Sequence, residues 1–188
     1  MGAGKSTALG ALERLGAAVL SSDAVVHELY EGDELRRAAV ARWGADVAPE
    51  GVIDRQAVAR HVFADDAERA WLEGLIWPLV GARVASWLQE VRAGTSRWGP
   101  RPRAAVVEVP LLFEAGLEQL YDATIAVIAD EDVRRERAGR RGHALTDERD
   151  AAQLSQQEKA SRATFVVRND GSERDLEQAL GAVLDELG

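Results

Sequence analysis

The fold class this sequence predicts is α/β, a parallel sheet flanked by helices, and three observations predict it. Four short apolar segments recur, at 17–20, 104–109, 123–128 and 164–167. Their near-continuous hydrophobic character suits strands covered on both faces. Segments of helical period separate them, as crossovers between parallel strands require. Finally, Met1-Gly2-Ala3-Gly4-Lys5-Ser6-Thr7 reads as the end of a phosphate-gripping loop that feeds a helix.

Each element follows from local pattern. Residues 5–15 place Leu9, Leu12 and Leu15 on one helix face, and Gly16 stops the run. The strand at 17–20 ends in Ser21, Ser22 and Asp23, all able to cap a following helix. From Ala24 to about Gln89 the pattern is mostly helical. There Trp71, Leu72, Leu75, Ile76, Leu79 and Val80 recur at helical spacing, interrupted by Pro78, and the aromatics read as packing. Residues 93–103 are a loop rich in Gly, Pro, Ser and Arg. After the strands at 104–109 and 123–128, a helix is expected from about Glu131 to Arg141. The strand at 164–167 closes on the turn Asn169-Asp170-Gly171, and a last helix spans 176–187.

Composition narrows the function classes. The 188 residues suffice for one domain with insertions, and the apolar share supports a packed core. A net charge of −9 argues against general nucleic-acid binding. With no cysteine there is no disulfide framework and no thiolate chemistry. His27, His61 and His143 show no metal-ligand spacing. No signal peptide or membrane-length apolar run is visible, so a soluble cytoplasmic protein is expected, and nothing points to an oligomeric state.

The chemistry starts at the loop. The full motif is G-x-x-x-x-G-K-[ST]; Gly4, Lys5 and Ser6 are present, and the first glycine would fall at position −1. Small residues at Gly2, Ala3 and Gly4 let backbone N–H groups close around anionic oxygens, and the following helix adds its positive end. Lys5 supplies a point charge to the outer phosphates, and the Ser6 hydroxyl suits Mg²⁺. The plainer reading is a glycine-rich tail before an amphipathic helix.

Asp23 lies just past a strand end, where ligands bind in open α/β sheets. There it can accept a proton from an attacking hydroxyl, or simply cap a helix. Residues 134–141 hold five arginines in eight, with Arg134, Arg137 and Arg141 on one helix face. That face fits a lid closing on phosphate oxygens; a solvated basic helix or a nucleic-acid patch is the alternative. Gly139 and Gly142 would let such a lid move. Glu108 fits the Mg²⁺ surroundings or a solvated strand end. Helix-start electrostatics is the plain account of Glu114.

Taken in order, Gly-x-Gly-Lys-Ser-Thr, Asp23, Val109-Pro110-Leu111-Leu112-Phe113-Glu114 and Arg137-x-x-x-Arg141 resemble the dephospho-coenzyme A kinase family. The tail adds Arg149, Gln153, Lys159 and Ala163, then Val166-Val167-Arg168-Asn169-Asp170-Gly171, in that family's order and spacing. The likeness covers essentially the whole chain. It implies a P-loop NTPase-type sheet with a helical substrate-binding insertion and a lid, in one domain. The core is then 1–23, 101–130 and 156–188, the substrate-binding region 24–100 and the lid 131–155. It implies a reaction as well: ATP phosphorylates the 3′-hydroxyl of dephospho-coenzyme A, giving coenzyme A and ADP. Gly2, Ala3, Gly4, Lys5, Ser6 and Thr7 match the ATP loop. Asp23 matches the base, Arg137 and Arg141 the lid arginines, and Asn169 to Gly171 a loop near the adenine. Two alternatives keep the same fold: another small-molecule or nucleotide kinase, or an ATP-binding protein with little or no turnover.

Some positions depart from the family pattern. Ser21-Ser22-Asp23 stands where Asp-x-Asp is common, Trp77-Pro78 where His-Pro is common, and Ala163-Thr164 where Ala-Asp is common. Trp77 is then expected to fill the space of the histidine. The family's loop also follows a central strand, between those at 104–109 and 123–128. Without it a gap of roughly 9.6 Å would separate these two strands. The expectation is that Met1 is a misplaced start or the chain a trimmed version, and that the working protein carries about ten more residues.

Overall fold

The computed structural model describes residues 2–140 and 153–188. They divide into two compact units, one of residues 1–19 and 97–188, the other of residues 20–96.

In the first unit, helix α1 (Lys5–Arg14) is followed by strand β1 (Ala18–Ser21), whose last two residues belong to the second unit. Strands β2 (Ala105–Glu108), β3 (Ile125–Ile128) and β4 (Phe165–Arg168) follow, with helices α6 (Glu131–Arg140), α7 (Gln156–Arg162) and α8 (Glu173–Leu187) around them. The strands pair as β1–β2 and as β3–β4. The second pair is parallel, with Ile125 opposite Phe165 and Ile128 opposite Arg168. No ladder joins β2 to β3 among the described residues, the place where an intervening strand is expected.

Thr124 and Thr164 align the start of the β3–β4 pair. Each backbone N–H donates to the other's hydroxyl oxygen at 3.0 Å. The threonine at the departure position 164 therefore acts as a register pin.

The core of this unit is an α1–α8 contact over the strands. Leu12, Leu176, Leu180 and Leu184 are buried with Ala8, Ala11 and Val167. Leu9 and Leu15 pack at its border, as the helical spacing predicts. Each buried leucine is worth about 1.5–3 kcal/mol. The neighbouring Arg14–Glu177 ion pair, at 2.6 Å but half open to solvent, adds at most about 1 kcal/mol. Packing therefore holds α1 in place. After the C-cap Leu15, Gly16 turns with φ 91°, and the Ala17 N–H returns to the Leu12 carbonyl at 3.0 Å.

The second unit contains α2 (Ser22–Glu31), α3 (Asp33–Trp43), α4 (Arg55–Ala64) and α5 (Asp66–Arg92). Val25, Leu35, Ala39, Val58, Leu72, Ile76 and Val80 form its core. Trp43 stacks on His61 at 5.1 Å and meets Trp71 edge-on at 5.0 Å. Its ring N–H donates to Glu68 at 2.7 Å, so the aromatics here are packing.

Three sequence expectations need correction. Pro78 does not end a helix, because α5 runs through it for 27 residues. The missing N–H forfeits one bond, to the carbonyl four residues earlier at Gly74, and the rest of the long helix carries across it. Trp77 does not fill an interior space; it is 46% exposed. Helix α8 starts at Glu173 rather than 176, because Ser172 and Asp175 form a reciprocal capping box. Helix α7, not anticipated, starts on the same device, Ser155 with Glu158.

Candidate active site

The loop at Gly2–Gly4 enters α1 through Gly4, which is left-handed at φ 89° and ψ 29° and offers no side-chain cap. The first N–H groups of α1 are thus left for an external acceptor, at the positive end of the helix. Neither loop glycine can be replaced freely. A Cβ on Gly2 would lie 2.7 Å from the Arg134 carbonyl oxygen, and one on Gly4 would lie 2.1 Å from the Asn169 amide nitrogen.

Those two contacts show what surrounds the loop. Asn169 follows β4, is 5% exposed, and donates its Nδ2 to the Ala3 carbonyl at 2.9 Å. Its own carbonyl accepts Arg137 Nη1 at 2.7 Å. Gly2, Gly4, Thr7, Arg137, Asn169 and Gly171, with Glu173, thereby line one cavity of about 250 Å³. A larger depression along α1 and α8, beside Arg14 and Glu177, is shallow and contains none of the predicted site residues.

Lys5, the first residue of α1, has Nζ 3.9 Å from Glu108 Oε1 at the end of β2. Glu108 is mostly enclosed, with 14% of its side chain exposed, whereas Lys5 is 46% exposed. The ammonium therefore stands at the carboxyl end of a strand with one side open. Ser6 is exposed in the next helical position.

Asp23 lies in the second unit, exposed in the first turn of α2. It is not the helix cap. Ser21 is, its Oγ accepting the Ala24 N–H at 3.4 Å. Arg141 falls outside the described residues. Arg135 is tied to Glu131 and Asp132 on its own helix, at 2.7 and 2.9 Å, whereas Arg137 meets the loop's neighbour Asn169.

The helix-start account of Glu114 is corrected. Residues 110–116 are turns, and Glu114 Oε1 receives Lys159 Nζ at 2.8 Å and the Leu154 N–H at 3.1 Å. Burial pushes this carboxyl up, but the hydrogen bonds from Lys159 and from backbone N–H groups, with the lysine's charge, outweigh it and hold the pKa below 4.5. Beside it, Glu118 pairs with Arg162, whose guanidinium also lies 5.4 Å from the Phe113 ring centre. No sequence signal pointed to the Glu114–Lys159 link, because its partners are far apart in the chain.

Strands flanked by helices, with a glycine-rich loop opening onto a helix, define a P-loop NTPase-type α/β protein. A profile of the family described as CoaE: Dephospho-CoA kinase matches residues 1–175. Among curated relatives, the dephospho-CoA kinase of Anaeromyxobacter dehalogenans is 40% identical over 190 residues, covering 98% of this chain and 87% of the relative. That of Deinococcus radiodurans is 37% identical over 190 residues, covering 100% and 88%. The crystal structure of TT1252 from Thermus thermophilus matches with a TM-score of 0.80 at 34% identity, covering 100% of this chain and 94% of that one. The chain belongs to the dephospho-CoA kinase family and is thus a kinase.

Proposed function

We propose that this chain transfers the γ-phosphoryl group of ATP to the 3′-hydroxyl of dephospho-coenzyme A, the last step of coenzyme A biosynthesis. The observation that carries the reading is the loop itself. Gly4 presents the start of α1, with Lys5 at its mouth and Asn169 and Arg137 against its side.

In this reading the N–H groups from Gly2 to Thr7 hold the phosphates, and Lys5 stabilises charge that grows on the transferring oxygens. Asp23 accepts the proton of the attacking hydroxyl. Arg137 and Arg141 draw onto the phosphoryl oxygens as the region 131–155 closes, and the helices of 24–100 hold the acceptor. Asn169 and Gly171 lie near the adenine.

The donor set suits Mg²⁺, which needs only one or two protein oxygens when phosphates and water complete its shell. No cluster of three or more acidic, histidine or cysteine side chains occurs among the described residues, so a dedicated protein cage is not offered. Ser6 would hold the ion, with Glu108 beside it, and the ion would neutralise charge between the outer phosphates. The protein acts in the cytoplasm on a small molecule. That fits its acidic balance and the lack, among the described residues, of a helix long and apolar enough to cross a membrane.

A coupled ADP-release assay tests the reading. Release that depends on dephospho-coenzyme A, with a product phosphorylated at the 3′ position, is expected. Equal release with unrelated nucleoside or sugar acceptors, or ATP binding without turnover, would overturn it.

A further inference from the structure

Asn169 joins three separate parts of the first unit. Its N–H donates to the Ile128 carbonyl at 2.8 Å, its carbonyl accepts Arg137, and its carboxamide donates to Ala3. Such a buried amide is costly unless paired, and this one is paired to the phosphate loop across 166 positions of sequence.

The bond to Ala3 has a directional consequence. The Ala3–Gly4 peptide is trans, so its carbonyl and its N–H point in opposite directions. Pinning the Ala3 oxygen against Asn169 aims the Gly4 N–H the other way, onto the face of the loop turned from Asn169. A freely rotating peptide at a left-handed glycine would not keep that orientation. The carboxamide also occupies the space that a Gly4 Cβ would enter, so the two residues are sterically interlocked.

We propose that Asn169 is a positioning residue for phosphoryl transfer. Its side chain sets the Ala3–Gly4 peptide so that the Gly4 N–H serves the triphosphate, while its carbonyl holds Arg137 ready beside the loop. This rests on the loop being the ATP phosphate site. It differs from a contact to the base, because the side chain acts on the loop and the nucleotide's phosphates feel the effect.

The test compares Asn169→Ala and Asn169→Asp with the unaltered chain by titration with ATP and with adenosine, alongside turnover and thermal melting. Asn169→Asp keeps the shape but replaces the donor with an oxygen facing the Ala3 carbonyl; it serves if the alanine variant does not fold. In either folded variant ATP binding should weaken about tenfold, as expected for one lost buried hydrogen bond. Adenosine binding should stay within about twofold, and kcat should fall with the KM for the acceptor unchanged. Gly4→Ala should be less damaging in the Asn169→Ala background than the two single effects multiplied predict, because the clash is removed. Unchanged ATP binding, or equal weakening of ATP and adenosine, would overturn the proposal. An unaltered chain that binds ATP but releases no ADP with dephospho-coenzyme A would instead count against the function above, and the binding comparison would still decide the role of Asn169.

Discussion

Lys5 Nζ faces Glu108 Oε1 at 3.9 Å, the start of a helix against the end of a strand. The separation is long for a hydrogen bond, and the lysine is half open to solvent, so the pair contributes little to folding. Lys5→Ala should therefore leave the stability within about 1 kcal/mol. Turnover should drop by about 10²–10³, the usual loss when one preorganised donor to a developing charge is removed. Steady-state kinetics with a melting curve checks this; a variant that keeps normal turnover would free Lys5 from the reaction.

Asp23 is exposed in the first turn of α2, and the cap is Ser21. Asp23→Asn should cost the helix no more than about 1 kcal/mol of dipole interaction. If the carboxylate takes the acceptor's proton, kcat should fall about 10²–10⁴ with little change in ATP binding. Normal kcat in this variant would reduce Asp23 to a favourable first-turn charge.

Glu114 gives a pH signature. Its folded pKa lies below the ordinary 4.5, so in acid the unfolded chain binds more protons at this site than the native one. Its stabilisation is therefore complete above pH 4.5 and is lost as pH falls through the lowered value. Glu114→Gln should lower the melting temperature at pH 7 and flatten its dependence below pH 4.5. Parallel curves for the two proteins in that range would show that the Lys159 link contributes no pH dependence.

The strand pairing makes a prediction at single amides. Thr124 and Ile128 direct their carbonyls to β4, and Ala104 directs its carbonyl to β1. Because backbone direction alternates along a strand, Val127 on β3 and Val107 on β2 turn to the side where neither strand has a partner among the described residues. Their amides should exchange with solvent deuterium at least about tenfold faster than those of Ala126 and Val106. Matching protection along both strands, read by NMR, would mean that these edges are covered in solution.

How far the sequence revealed these features depended on their range. Apolar runs of strand length and the Leu9, Leu12, Leu15 stripe are local patterns, and each led to an element within one or two residues of its observed bounds. The glycine-rich turn into α1 was equally plain, because Gly4, Lys5 and Ser6 are neighbours. Serine three residues before an acid also marked the starts of α7 and α8, a local signal that apolar periodicity overshadowed. The links of Asn169 to Ala3 and of Glu114 to Lys159 carried no such mark. They join positions that only the tertiary fold brings together, and an asparagine in a turn has an adequate local explanation of its own.

Helix α1 packs on α8, so α1 waits for a partner made much later. On a ribosome, Gly2 to Thr7 emerge long before Asn169, which bonds to their loop, and before Leu176 and Leu180, which pack against α1. A nucleotide can therefore add little to the survival of a half-made polypeptide until that later segment exists.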